Sequence, residues 1–218
     1  ARTLAAAETA IARTADLTLL VSPAEAADLG ARDGVPGERV AVVPNGVDTA
    51  AFDPSRPTPR PRPAEAVVFT GAMDYEANAD AVTWFADTVW PHLRARHPEL
   101  EFWIVGARPV AAVAALAERD GIVVTGRVDD VRPWLAHAAV AVAPLRLARG
   151  LQNKVLEAMA MAKPMVATPA ATAGLDAATA GTAVTAGDAA ALVREIDALL
   201  ADPEIGRASC RERVYTKV

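Results

Sequence analysis

The sequence has one cysteine, Cys210, so no internal disulfide can form. Its three histidines, at 92, 97 and 137, are not spaced with that thiol as zinc ligands are. A reducing compartment and no structural metal are expected. Nor is there an excess of positive charge: 22 Lys and Arg stand against 27 Asp and Glu, a net charge of -5, which offers no attractive field to nucleic acid or anionic lipid. No apolar run approaches the roughly 18 residues of a membrane span. The opening ARTLAAAETA lacks the regions of a signal peptide. A cytoplasmic protein is the expectation. What is present is an ordinary globular composition, 52% hydrophobic and 22% charged, in 218 residues, enough for one large or two small domains with a packed core.

Both ends read as cut. LAAAETAIARTA has the pattern of a helix interior, with Leu4, Ala7, Ile11 and Ala15 as its apolar stripe and no cap before it. After ALLADPE the composition switches to Arg207, Arg211, Arg213 and Lys217 against the single acid Glu212. The string from Ile205 to Val214 resembles a translated sequencing adapter, so residues 205–218, Cys210 included, are expected to be non-native.

Between the ends, DLTLLVS reads as a strand running into a helix that opens on Ser22-Pro23-Ala24-Glu25: an N-cap, a proline at the first helical position and a glutamate at the third. Val40, Val42 and Val43 form a further strand, ended by Pro44-Asn45-Gly46. Prolines 54, 57, 59, 61 and 63 then leave a stretch poor in backbone donors and restricted in φ, an extended linker that divides the molecule. From Val67 apolar strands alternate with helix-period segments: VVFTG, EFWIVG, IVVTG, AVAVAPL, PMVATP and TAVTA, with helices from about Asn78, Pro109, Asp130, Asn153 and Asp188. Six strands with crossovers of that length require a parallel sheet covered on both faces, so an α/β, doubly wound, Rossmann-like domain is expected. Its first crossover begins GAMDYEAN and lacks the G-x-G-x-x-G of dinucleotide enzymes.

In such a sheet ligands bind beyond the carboxyl ends of the strands. Gly71, directly after the first of these strands, lets a ligand approach the backbone, or simply makes a turn. Gly126-Arg127-Val128, after the third, offers main-chain groups to a flat base, or again a turn. The richest segment is RGLQNKVLEAMAMAKPMVATP. Asn153 is placed to cap a helix whose buried stripe is Val155, Leu156, Met159 and Ala162, leaving Lys154, Glu157 and Met161 on the other face. The helix end and Lys154 would attract phosphate, Arg149 could pair with the same group, and Glu157 could accept hydrogen bonds from ribose hydroxyls. A solvated Lys-Glu pair is the plainer alternative.

ARGLQNKVLEAMAMAKPMVAT resembles the signature of the GT-B glycosyltransferases of the glycogen-synthase-like group. VSPAEAADL, VVPNGVDTAAFDP, VVFTGAMDYEANADAVTWF, FWIVGARP and VTGRVDDVRPWLAHAAVAVAPL resemble the same family in order, closest to its branch associated with bacterial exopolysaccharide systems. The resemblance implies that residues 1–55 are a remnant of an acceptor-side domain, 56–64 a linker and 65–204 a domain binding a nucleotide-sugar donor. It further implies a retaining, metal-independent hexosyltransferase that needs no cofactor and takes a UDP-, GDP- or ADP-sugar. The acceptor would be a glycan or lipid-linked chain, and the missing N-terminal domain would touch the inner face of the membrane.

Carried over by position, Glu157 matches the carboxylate that binds the ribose, Gly71 the glycine beside the diphosphate, and Lys154 a basic position of the branch. Arg127, Val128 and Gly150 join them around the nucleotide. Arg149 stands where the broader family has its first carboxylate. GAMDYEANAD lacks the basic residues usual after the first strand, so Arg149 and Lys154 would supply the phosphate charge. Ala162 lies where a helix-ending glycine is usual, at a cost on the order of 1 kcal/mol if that site needs positive φ. Asp129-Asp130 is no D-x-D metal clamp but a helix start. Two other readings remain open at this point: a non-catalytic domain that binds nucleotide sugar, and a nucleotide-sugar epimerase of the same plan.

Overall fold

The computed structural model describes residues 2–202 other than 149, 176 and 182. The cationic tail and Arg149 thus lie outside the described residues. The chain opens with α1 (Arg2–Thr14), β1 (Thr18–Leu20), α2 (Pro23–Gly30) and β2 (Val40–Val42), and the two strands pair in parallel with Thr18 opposite Val40. Ser22 caps α2 as its sequence requires: the hydroxyl accepts the Glu25 N–H at 3.3 Å and donates to the Glu25 carboxylate at 3.0 Å.

The expected stripe of α1 does not face its neighbours. Leu4 and Ile11 are 61% and 66% exposed and Ala7 is exposed, while Ala12 is the residue buried against Leu29 and Val35. Polar contacts set this rotation. The Arg32 guanidinium donates to the Ala5 carbonyl at 3.2 Å and to Glu8 at 3.0 Å, which ties the side of α1 next to Ala12 to the end of α2. Periodicity marks an apolar row on a helix but does not say which row finds a partner.

Residues 54–63 form neither helix nor strand. Their prolines remove donors and leave carbonyls to be satisfied, and Arg60 supplies what is missing by donating to the carbonyls of Arg62, Pro63 and Ala64. Arg62 then reaches Glu101 through two bonds of 2.7 and 2.6 Å. That pairing holds the Glu101 carboxyl below its ordinary range, against the opposing effect of its own desolvation.

The main sheet has six parallel strands, β3 (Ala66–Thr70), β4 (Glu101–Val105), β5 (Ile122–Gly126), β6 (Val140–Ala143), β7 (Met165–Ala167) and β8 (Val184–Thr185), in the order β5-β4-β3-β6-β7-β8. All residues of β3, β6 and β7 are buried, as strands covered on both faces must be. The helices are α3 (Glu76–Thr88), α4 (Trp90–Arg96), α5 (Ala111–Ala114), α6 (Arg132–His137), α7 (Asn153–Ala160), α8 (Pro169–Thr172), α9 (Ala177–Ala180) and α10 (Ala189–Ala201). The adjacent residues Phe102 and Trp103 of β4 point to opposite faces. Phe102 packs on Phe85 of α3 at 4.6 Å and on Trp90 of α4 at 5.8 Å, and Trp103 meets Trp134 of α6 edge-on at 5.2 Å. The doubly wound α/β architecture is therefore as expected. No helix among the described residues is long and apolar enough to cross a membrane.

Local chemistry explains several element ends. Asp188 caps α10 by accepting the Ala191 N–H at 2.8 Å, and Asp130 accepts the Arg132 N–H at 2.9 Å ahead of α6. At α7 the expectation needs correcting. Asn153 is the first helical residue and not the cap; its amide oxygen accepts a bond of 3.0 Å from Asn45 and so joins the opening segment to the main sheet. The buried row is Val155, Ala158 and Met159, with Leu156 only half-buried. Met161, expected on the outer face, is buried because the helix has ended and turned by then. That turn is a Schellman motif: Lys163 N–H bonds the Ala158 carbonyl at 2.9 Å and Ala162 N–H that of Met159 at 2.8 Å, with Ala162 at φ 50°. Alanine is strained in that conformation, so Ala162→Gly is expected to stabilise the fold by about 1 kcal/mol and raise Tm by about 2–4 °C, measured by thermal unfolding.

Candidate functional site

The chain runs outward from β3 to β5, then returns to place β6 on the other side of β3. At this reversal the connections leave the sheet in opposite directions and a crevice opens beyond the carboxyl ends of the strands. A cleft of about 530 Å³ lies there, walled by the segments after β3, β4 and β5 and by the start of α7.

Two glycines shape its floor. A Cβ on Gly106 would lie 1.7 Å from the Gly71 carbonyl oxygen, so the loops after β3 and β4 touch backbone to backbone. Gly71 itself, at φ 156°, leaves room for the Asn78 amide, whose nitrogen would be 2.7 Å from a Cβ there. Next to them β5 carries a bulge: Ile104 pairs with Val124 and Val105 with Gly126, which leaves Thr125 over. The bulge and Gly126, at φ 66°, re-aim the strand end and bring Arg127 and Val128 to the cleft wall.

From α7, Lys154 and Glu157 enter the same cleft one turn apart. The Lys154 ammonium donates to the Asn78 Oδ1 at 2.7 Å and lies 5.0 Å from the centre of the Phe69 ring. Burial lowers its pKa from 10.5 to about 8, against a smaller opposing pull from Glu157. The Glu157 carboxyl is raised, chiefly by desolvation and in spite of Lys154. A cation whose nearest partner is a neutral amide keeps its charge for an incoming anion. The start of α7, whose end carries partial positive charge, also borders the cleft through Asn153 and Lys154. The carboxylate beside it accepts hydrogen bonds from hydroxyls.

Of the residues singled out from sequence, Gly71, Arg127, Val128, Lys154 and Glu157 are thus brought together. Gly150 is not. It turns at φ 64° against Val21 and Glu25 and lines a separate cavity of about 750 Å³ between α1, α2 and the chain after α8, while its neighbour Leu151 faces the cleft. Gly106 and Arg108, which line the cleft, and Asn78, which lies behind it as the partner of Lys154, escaped the sequence reading. Gly106 and Arg108 follow β4; Arg108 sits at φ 54° and clasps Asp74 from the loop after β3, with bonds of 2.5 and 3.1 Å. Asn78 was legible: it occupies the buried row of α3 with Ala81, Val82, Phe85 and Ala86, where an amide is out of place unless something binds it.

The lowered Lys154 value fixes a pH dependence. Between about 8 and 10.5 the unfolded chain holds more of this proton than the folded one, so the contribution of Lys154 to stability rises with pH across that window and is at its least favourable below it. Lys154→Met is expected to remove this rise: relative to the parent protein the variant should lose on the order of 2 kcal/mol of stability between about pH 7 and pH 10.5, in addition to a pH-independent cost for leaving the Asn78 Oδ1 without its donor. Urea unfolding of both proteins at the two pH values checks it.

Residues 64–202 match the family model described as glycosyl transferases group 1, and residues 1–51 that of glycosyltransferase family 4. No curated protein matches the sequence. Among solved structures, sucrose-phosphate synthase from Thermosynechococcus elongatus is 22% identical, with a TM-score of 0.73 over 98% of this chain and 57% of that one. A glycosyltransferase from Rickettsia africae is 15% identical, with a TM-score of 0.70 over 98% of this chain and 63% of that one. HepE from Anabaena, crystallised with UDP-glucose, is 16% identical, with a TM-score of 0.68 over 97% of this chain and 63% of that one. The chain thus spans 57–63% of the length of these three structures, and its fold is that of the GT-B glycosyltransferases. With one family's model running the length of the main sheet, the chain belongs to the glycosyl transferases of group 1.

Proposed function

We propose that the cleft binds the nucleoside diphosphate of a nucleotide sugar, and that the chain is the donor-binding part of a glycosyltransferase. The observation that carries this reading is the convergence of Lys154 and Glu157, at the start of α7, on the crevice where the strand order reverses. Lys154 and the helix start take the diphosphate. Glu157 accepts the ribose hydroxyls, and the main chain at Arg127 and Val128 lies alongside the base. Gly71 and Gly106 let the phosphates come close to the backbone. HepE was crystallised with UDP and with UDP-glucose, which supports a uridine donor ahead of GDP- or ADP-sugars.

Within the same reading residues 1–55 belong to the acceptor side, 56–64 link, 65–204 hold the donor, and 205–218 are foreign. Transfer proceeds with retention and without a metal, through an oxocarbenium-like state. The role of the site is to stabilise the departing diphosphate, with Lys154, and by the family likeness Arg149, supplying positive charge. The acceptor is a glycan or lipid-linked chain of a bacterial polysaccharide pathway, at the cytoplasmic face of the membrane. The likeness of the ordered motifs to the exopolysaccharide branch supports that assignment.

Two measurements test the reading. Calorimetric titration is expected to show binding of UDP, and Glu157→Ala should weaken UDP about ten- to a hundredfold while affecting 2′-deoxy-UDP far less, since a hydrogen bond to a charged group is worth roughly 1.5–3 kcal/mol. Equal weakening of both ligands would remove Glu157 from the ribose. In a transfer assay with radiolabelled UDP-sugar and lipid-linked acceptor, the chain alone should do no more than hydrolyse the donor slowly, because positioning the acceptor can contribute about 7–11 kcal/mol. Efficient transfer by the chain alone would overturn the division into donor and acceptor sides.

A further inference from the structure

Asn78 is 5% exposed, in the row of α3 that packs on the sheet. A buried amide destabilises a fold unless both of its ends are bonded. Both are: Nδ2 donates to the Ala72 carbonyl at 2.9 Å, and Oδ1 accepts the Lys154 ammonium at 2.7 Å. Chemistry admits only this orientation, since a carbonyl can only accept and an ammonium can only donate. Gly71 leaves the space the amide fills, because a Cβ there would sit 2.7 Å from Nδ2 and 3.4 Å from the Lys154 Cε.

We propose that Asn78 is the positioning residue of the cleft: its amide, braced on the Ala72 carbonyl through the gap at Gly71, holds the Lys154 ammonium where the diphosphate lies. The inference rests on the donor reading above. The identity of the partner matters as much as its place. An aspartate at 78 would pair with the ammonium and cancel the charge a phosphate needs, and a leucine would remove the acceptor the ammonium has among the described residues. Asparagine fixes the position of the cation and leaves its charge unspent. The other charged groups sharing the cleft are Glu157 on the same helix, Arg108 after β4 and Arg127 after β5. The acids of α3 and its approach are engaged elsewhere or exposed: Asp80 pairs with Arg146, Asp87 with Arg119, Asp74 with Arg108, and Glu76 faces solvent. Lys154 is therefore tuned mainly by burial, Glu157 and Asn78.

The chain has only three lysines, 154, 163 and 217, so their ε-methylene NMR signals can be followed individually through a pH titration, with Lys154→Met as the assignment control. In the ligand-free protein Asn78→Asp is expected to raise the Lys154 midpoint by about one pH unit, as an adjacent carboxylate does, and Asn78→Leu to lower it. At about pH 7 both variants should bind UDP about tenfold more weakly, with uridine, which has no phosphate, unaffected. Above the Lys154 midpoint the UDP affinity of the parent protein should fall while that of uridine stays level. Should Asn78→Leu fail to fold, Asn78→Asp carries the test alone. An unmoved midpoint in the aspartate variant, or equal weakening of UDP and uridine, overturns the proposal. Failure of the parent protein to bind UDP, GDP or ADP overturns the donor reading instead, and the ligand-free midpoints still report whether Asn78 governs Lys154.

Discussion

The reversal of strand order at β3 is the constraint on which the molecule depends. A parallel sheet must return each crossover over one of its faces, and a chain that builds first to one side of β3 and then to the other must send two successive connections apart. The space between them cannot be filled by either. Here that space is bounded by the close contact of Gly71 with Gly106, by the bulge that turns Arg127 and Val128 inward, and by the start of α7. Burial of both sheet faces makes this geometry stiff: Phe102 and Trp103, on opposite sides of β4, each meet another aromatic ring. The crevice is thus a consequence of packing elsewhere in the domain.

Into that fixed crevice the fold delivers charges that burial has made expensive. Lys154 and Glu157 are each pushed toward their neutral forms by desolvation, and each partly relieves the other. Among the described residues neither is neutralised by a tight ion pair, and the ammonium bonds the Asn78 amide. A site that destabilises the fold in this way is what ligand binding can exploit, because an anion on the cation side and hydroxyls on the carboxylate side relieve both. The Arg108–Asp74 clasp at the rim ties the loops after β3 and β4 over the same opening, with Arg108 held in the left-handed region that non-glycine residues rarely adopt.

The opening segment is joined to the main sheet by a few polar contacts. Asn45 meets Asn153 at the start of α7, Arg132 reaches the Ala51 carbonyl, and His137 donates to the Thr58 carbonyl. The proline-rich stretch is fastened by Arg62 to the foot of β4, so it is a strap laid along the domain and not a free tether. Asn45 belongs to Pro44-Asn45-Gly46, which local sequence marks only as the end of a strand.

The succession of main-sheet strands, the capped start at Ser22, the start of the last helix at Asp188 and the placement of Lys154 and Glu157 on one helix face were legible in the sequence, because each follows from local periodicity or from chemistry within a few residues. The cost at Ala162 came instead from the likeness to the family, and the short helices α4, α8 and α9 went unread. What the sequence could not supply were relations between residues far apart in the chain. The side of α1 that would be covered depended on Arg32, and the true partner of Asn153 was Asn45. The parting of Gly150 from its neighbour Leu151 depended on a single left-handed turn against α2. Asn78 lies 76 residues from Lys154, and only the sheet that seats α3 beside α7 makes an amide on one helix the partner of an ammonium on the other. Local propensity acts over a turn of helix, whereas a site of this kind is assembled by strand pairing, and its contacts become visible only once the sheet has closed.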